Sequence, residues 1–119
     1  MTECLIVGAG GAVGAVLRYL IGLIPLNPEN GFPVKTFLIN VAGCFIIGLV
    51  AALAARSSQN PRITLFLKVG ICGGFTTFSS FALETEQLMA KGAVWMAVGY
   101  VAASVLCGIF AVFAAQKLF

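Results

Sequence analysis

The chain has no histidine, and charged residues occupy only 9% of its 119 positions. Histidine is the side chain that most often serves as a general base or a metal ligand, so its absence argues against much enzyme chemistry. The four cysteines form no Cys-x-x-Cys pair and lie within or beside apolar segments. They are therefore typical of small buried hydrophobic residues rather than of disulfides or thiolate metal sites. We expect a protein that is not an enzyme.

Hydrophobic residues, in contrast, make up 61% of the chain, and the mean hydropathy is +1.07. Soluble domains carry roughly 45–50% apolar and about 25% charged residues, so the composition predicts an integral membrane protein. A spanning helix needs about 20 mostly apolar residues. We expect one all-α domain with four spans, at about 4–24, 34–55, 63–90 and 93–115. Four helices are hardly enough to enclose a conduction path and also to present surfaces to lipid, so we expect an oligomer.

Polar residues inside the first two spans are the first candidate functional groups. Arg18 lies on a stripe of glycines, and arginine in hydrocarbon costs several kcal/mol, so we expect it to face protein or water. The alternative is an arginine that snorkels to the interface. In the second span, Thr36 and Asn40 are one turn apart on the same face. By itself, an asparagine in a span is explained as well by a hydrogen bond to a neighbouring helix.

The third span carries the most unusual stretch, residues 70–86. Its three closely spaced glycines weaken a helix, and we expect an interruption around Gly73–Phe75. Non-helical backbone at membrane depth is tolerated only where it is buried or lines a cavity, and its carbonyls commonly coordinate a cation. On a helical wheel, phenylalanines fill one arc and polar groups the next: Phe75, Phe78 and Phe81, then Thr76, Thr77, Ser80 and Glu84. The pattern favours an ion pathway, although aromatic stripes usually belong to a packed core.

The distribution of basic residues around the spans is nearly even. With four spans both termini share a side, which carries three or four basic residues against two on the other side. Orientation follows the Lys/Arg asymmetry of short loops. So weak a bias permits insertion in both orientations, and hence an antiparallel homodimer.

Three segments then match a known family. They are residues 10–19 (GGAVGAVLRY), 36–48 (TFLINVAGCFIIG) and 70–81 (GICGGFTTFSSF). In these segments the chain resembles the Fluc (CrcB) fluoride channels, and the third motif is the most specific. The resemblance implies an antiparallel, dual-topology homodimer in the cell membrane, with two pores that export fluoride by passive conduction and protect the cell from its toxicity. The implied partners are fluoride, sodium, membrane lipid and a second copy of the chain, with no nucleic acid.

The resemblance also implies roles for individual residues. Phe78 and Phe81 match the family's pore phenylalanines, and Asn40 its pore amide. The candidates for the polar track beside them are Thr36, Ser80, Tyr100 and Ser104. Arg18 matches the arginine of the family's first span and Glu84 a vestibular acid, both with a vestibular or structural role. Gly73 and Thr76 would offer backbone carbonyls to a structural sodium ion at the dimer interface. Ser80 stands where many members have threonine, which keeps the hydroxyl.

Fluoride is small and strongly hydrated, so a pore must replace its water with hydrogen-bond donors. Hydroxyls and an amide bind it without the deep trap of a buried lysine, and conduction needs binding that is weak enough to release the ion. The positive edges of aromatic rings can attract an anion as well. Two other functions stay open from the residues alone. One is a proton-coupled four-span exporter, which would need a central carboxylate that the first span lacks. The other is a non-transporting scaffold subunit, for which glycine-lined helices would suffice.

Overall fold

The computed structural model describes residues 1–57 and 59–119, and every regular element in them is helical. Four helical stretches are long and apolar enough to cross a membrane. They are α1 (Thr2–Gly22), α2 (Val34–Arg56), the third span (Pro61–Ala90) and α6 (Val94–Leu118). The predicted all-α architecture with four candidate spans is therefore confirmed.

The third span is broken near its middle, as the glycine-rich stretch predicts. It consists of α3 (Pro61–Thr64), a π-helical segment (Leu65–Cys72), α4 (Gly73–Phe75) and α5 (Phe78–Ala90). The non-helical residues are Thr76 and Thr77, whose backbone is extended. The interruption thus begins directly after Gly73–Phe75, so the predicted break around these residues is confirmed, although the three residues themselves are helical.

Close packing against α1 explains why the glycines stay helical. An ideal Cβ on Gly10 would lie 2.6 Å from the carbonyl oxygen of Phe66 and 2.9 Å from the Cα of Gly70. One on Gly74 would lie 3.0 Å from the Cα of Gly11. Glycines on both helices therefore let two backbones meet, which is the usual role of small residues between membrane helices. The glycines weaken helix propensity, but this packing holds their backbone in place.

The second helix pair is α2 with α6. A Cβ on Gly48 would lie 2.8 Å from the carbonyl oxygen of Val112, and one on Gly108 would lie 3.3 Å from the Cys44 sulfur. The facing surface of α6 is lined by alanine, with Ala115 fully buried. Since α2 also contacts the π-helical segment and α5 packs on α6, the two helix pairs form one bundle.

The apolar core of the bundle lies at the end where α5 turns into α6. Leu88, Ala97 and Tyr100 form its buried cluster, with Phe32 and Phe81 among the rings packed against it. Large side chains elsewhere point outward, as expected where lipid is the solvent: Trp95 is 85% exposed and Phe110 is 72% exposed. Glu84 connects this core to the polar groups described next, since it accepts a hydrogen bond from Tyr100.

Candidate ion pathway

The break in the third span is held by the side chain of Asn40 in α2. Its amide nitrogen donates to the carbonyl oxygen of Thr77 at 3.1 Å, and its amide oxygen accepts from the Thr77 N–H at 2.8 Å. The amide thus replaces both hydrogen bonds that an unbroken helix would give Thr77. A side-chain amide nitrogen carries two protons, so one N–H of Asn40 is left for another acceptor.

Thr77 also begins the helix that follows the break. Its hydroxyl oxygen accepts from the backbone N–H of Ser80 at 3.1 Å, which caps the N-terminus of α5. Such a cap satisfies one of the free N–H groups of the first turn. Thr76, in contrast, turns back, and its hydroxyl donates to the carbonyl oxygen of Cys72 at 2.8 Å. The two adjacent threonines therefore end one helix and start the next.

Arg18 of α1 lies on the other side of the break. Its Nε donates to the carbonyl oxygen of Gly74 at 3.2 Å, and the side chain is half-buried. Arg18 therefore faces protein, and it satisfies a carbonyl that the break deprives of its helical partner.

Glu84 in α5 joins three helices. One carboxylate oxygen accepts from the Thr36 hydroxyl at 2.8 Å, and the other accepts from the Tyr100 hydroxyl at 3.1 Å. Thr36 is 8% exposed and Tyr100 is fully buried. Hydrogen bonds to a carboxylate are stronger than those between neutral groups, so the two hydroxyls fix the orientation of the acid.

Two cavities meet at Thr77. The first, which we call the polar cavity, has a volume of about 370 Å³. Its polar lining comes from Arg18, Asn27, Lys35, Thr36, Thr77, Ser80 and Glu84. The second, which we call the break cavity, has a volume of about 300 Å³. Its lining includes Asn40, Lys68, Cys72, Gly73, Thr76, Thr77 and Phe78. Thr77 is common to both linings, so the Asn40–Thr77 pair lies at the point where the two cavities adjoin.

The aromatic residues form a short series that leads away from the buried cluster. The ring centroids of Tyr100 and Phe81 are 5.0 Å apart, and those of Phe81 and Phe78 are 5.7 Å apart. Phe78 is 79% exposed in the single chain. The prediction that Phe75 shares this arc is wrong, because Thr76 and Thr77 are extended and reset the helical phase between the two segments.

Ser104 lies one turn beyond Tyr100 on α6. Its hydroxyl is buried and has no hydrogen-bond partner within residues 1–57 and 59–119. Buried polar groups are nearly always hydrogen-bonded, so an unpaired hydroxyl needs an explanation. Ser104 and Tyr100 line neither of the two cavities, whereas Thr36 and Ser80 line the polar cavity, so the predicted polar track divides into two parts.

Two features of this region are absent from the sequence-based prediction. Lys35 and Lys68 line the polar cavity and the break cavity, respectively. Lys35 directly precedes Thr36, and Lys68 stands alone in an apolar segment. An ionisable residue inside a span is by itself a signal of function, so Lys68 could have been singled out from the sequence.

A bundle of spanning helices with polar groups gathered at a helix break is an arrangement typical of proteins that pass ions or small solutes. The chain matches the model of the CrcB family, described as "CrcB-like protein, Camphor Resistance (CrcB)", over residues 5–116. The chain belongs to this family, which confirms the resemblance, and it is a multi-pass protein of the cell membrane.

Named relatives are similar over nearly their whole length. The chain is 45% identical over 126 residues to the fluoride-specific ion channel FluC of Caulobacter vibrioides, covering 100% of this chain and 99% of the relative. It is 41% identical over 115 residues to that of Chlorobium phaeobacteroides, covering 96% and 90%. It is 42% identical over 120 residues to that of Rhizobium meliloti, covering 99% and 96%.

Proposed function

We propose that this protein is a channel that conducts fluoride passively across the cell membrane and thereby protects the cell from fluoride toxicity. The observation that carries the proposal is the set of neutral donors at the helix break, where Asn40 lines the break cavity with one N–H left free and its partner Thr77 lines both cavities. The names of the relatives support fluoride as the ion. The family is one of ion channels rather than enzymes, and no enzymatic activity is proposed.

The chemistry of the pathway suits a small, strongly hydrated anion. Fluoride would give up water in the polar cavity, where Ser80 and Thr77 supply hydroxyls beside the cation of Arg18, while Thr36 donates its proton to Glu84 and holds that acid in place. It would then meet the free N–H of Asn40 and the edges of Phe81 and of the exposed Phe78 ring. The hydroxyl of Ser104 has no protein acceptor within the described residues, and it would donate to the ion farther along. Neutral donors bind the anion in steps that are weak enough for release.

We propose that the working unit is an antiparallel, dual-topology homodimer with two pores. Phe78 belongs to the series of rings beside the pathway, yet it is 79% exposed in the single chain and lines the break cavity from its open side. A second copy seated there would cover Phe78 and close the pathway. The weak asymmetry of basic residues supports a pair in which the two copies are inserted in opposite orientations.

A structural sodium ion at the centre of this dimer is part of the proposal. The Thr77 N–H donates to Asn40 instead of to the carbonyl of Gly73, the position that it would serve in an unbroken helix. Within the described residues, the carbonyl oxygens of Gly73 and Thr76 accept no hydrogen bond outside regular helix. These oxygens suit a hard cation, and two copies of the chain would supply four of them. The ion would place a fixed positive charge between the two anion paths.

The decisive experiment is fluoride efflux from liposomes that hold the purified protein, followed with a fluoride electrode beside a parallel chloride measurement. We expect rapid fluoride release without chloride release, and loss of that release in F78I. F110I is the matched control, since Phe110 is a comparably exposed ring (72%) on α6. Folded protein that releases neither ion would contradict the proposal and favour a scaffold subunit, and fluoride release that requires a proton gradient would favour a coupled exporter.

A further inference from the structure

Lys35 is a cation held in place at the edge of the polar cavity. It lies in the first turn of α2, and its Nζ donates to the carbonyl oxygen of Gly22 at 2.8 Å. Its backbone N–H donates to the Asn27 side chain at 3.0 Å, which fixes the start of α2 against the preceding loop. The side chain is half-buried. The ammonium group is thus positioned by the protein instead of moving freely in water.

The charge of Lys35 determines the sign of the polar cavity. The ionisable groups of the lining, apart from Tyr19, are the cations Arg18 and Lys35 and the carboxylate Glu84. With Glu84 ionised, two cations face one carboxylate, so the lining has one net positive charge, which removal of the Lys35 charge would reduce to zero. A cleft of one sign raises the local concentration of the opposite ion and its rate of arrival.

We propose that Lys35 recruits fluoride to the polar cavity and raises the rate at which the ion reaches the Asn40–Thr77 pair. This inference rests on the proposed fluoride conduction. An ammonium group has three N–H donors, and the carbonyl of Gly22 takes one, so two are left for an anion. Lys35 stands at the end of the spans, ahead of the neutral donors. There the cation attracts fluoride without creating a trap inside the pathway.

A purely structural role would have a different signature. The bond from Lys35 to Gly22 also caps the C-terminus of α1, where a cation is favourable to the helix dipole. Loss of that cap would lower transport equally at every ionic strength. Loss of recruitment depends on salt, because exposed charges are screened beyond about 10 Å at 0.1 M and about 3 Å at 1 M.

The test compares initial fluoride efflux from liposomes at about 0.02 M and about 0.5 M ionic strength, set with N-methylglucamine gluconate at constant sodium. One unit charge several Å from the ion, at a dielectric near that of water, changes its local concentration by about fivefold. We therefore expect K35Q to release fluoride about fivefold more slowly than the unsubstituted protein at low salt, and within twofold of it at high salt. K35R should keep the low-salt rate.

The matched control is K117Q. Lys117 lies in the last turn of α6 and carries the same charge, but it is exposed and lines neither the polar cavity nor the break cavity. K117Q should change the low-salt rate by less than twofold. Should K35Q fail to fold, K35M takes its place, since it keeps an unbranched apolar stem of similar length.

Three results would overturn the inference while leaving fluoride conduction intact. They are equal rates for K35Q and the unsubstituted protein at both salt concentrations, an equal loss at both concentrations, and a K117Q loss as large as that of K35Q. If the unsubstituted protein itself releases no fluoride, the proposed function fails first, and this inference fails with it. The two failures are thus separated by the first rate measured.

Discussion

A single methyl group on α1 should test how closely the two backbones meet. In G14A the added Cβ would meet the carbonyl oxygen of Ile71, and it would lie 2.7 Å from the backbone nitrogen of Phe75 and 3.1 Å from the carbonyl carbon of Gly74. Non-bonded heavy atoms sit best about 3.5 Å apart, so the third span would have to retreat by at least about 0.8 Å, and farther at the nearer carbonyl oxygen of Ile71. All three obstacles are backbone atoms, and no side-chain rotamer can relieve them.

That retreat would loosen the contacts on either side of Gly14. The Cα of Gly70, which an ideal Cβ on Gly10 would approach to 2.9 Å, would move away from α1, and the hydrogen bond from Arg18 to Gly74 would lengthen from 3.2 Å. Overpacking of this kind costs about 1–3 kcal/mol. We expect a cost near the upper end, about 3 kcal/mol, because a backbone contact and a hydrogen bond are lost together.

Thermal unfolding in detergent, followed by circular dichroism at 222 nm, measures the effect. G8A is the control in the same helix, since no atom of the described residues lies within 4 Å of the Cβ that it would add. Alanine favours a helix over glycine by up to about 1 kcal/mol, so G8A should be as stable as the unsubstituted protein or more stable. If G14A and G8A unfold at the same temperature, the inferred close approach of the two backbones is wrong.

Two further substitutions separate stability from transport. In N40D a carboxylate oxygen replaces the amide nitrogen that donates to the carbonyl oxygen of Thr77 at 3.1 Å. The two oxygens repel each other, so we expect fluoride efflux at least about tenfold slower and a lower melting temperature. Unchanged efflux would remove Asn40 from the pathway. S104A removes a buried hydroxyl that has no partner among the described residues, so the melting temperature should stay level or rise. Fluoride efflux should become slower. Equal efflux in S104A and the unsubstituted protein would show that Ser104 does not touch the ion.

The four spans could be predicted because the hydrophobic effect acts locally along the chain. Each span is an apolar run of sufficient length, and the loop at residues 25–33 carries three of the four prolines. The glycine stripe on α1 also indicates where a neighbouring helix packs, since backbone atoms of the third span come closest at Gly10 and Gly14. The exact residues of the break could not be predicted from the sequence. They depend on Asn40 of α2, which pairs with Thr77, 37 positions away in the chain.

The same limit applies to the candidate pathway. Helical spacing predicts which side chains share a face, but it assumes an unbroken helix, and Phe75 fails that assumption. The bonds from Thr36 and Tyr100 to Glu84 join residues 48 and 16 positions apart, so no local pattern reveals them. Lys35 is a further case, since only the fold brings it beside Arg18 in one cavity.

The helix break leaves backbone polar groups without their helical partners at membrane depth, and side chains of the same region bond several of them. An unpaired backbone group in hydrocarbon costs several kcal/mol, and the break frees groups at Gly73, Gly74, Thr76 and Thr77. At Gly74 the Nε of Arg18 donates to the carbonyl oxygen, and Asn40 bonds both polar groups of Thr77. Within the described residues, the carbonyls of Gly73 and Thr76 accept no hydrogen bond outside regular helix, which is why the proposed sodium ion is assigned to them. Two of the residues proposed for the fluoride pathway, Arg18 and Asn40, are therefore also residues that make the break tolerable.

This double use determines which mutants are informative. Loss of transport in a variant of Arg18 or Asn40 follows equally from a lost ion contact and from a break that closes or shifts. Ser104 carries no such ambiguity, because its hydroxyl supports no other group within the described residues. Lys35 is an intermediate case, since it also caps α1, but the salt dependence of efflux distinguishes that structural role from the recruitment of fluoride. The strongest argument for a fluoride contact will accordingly come from the side chain that the fold needs least.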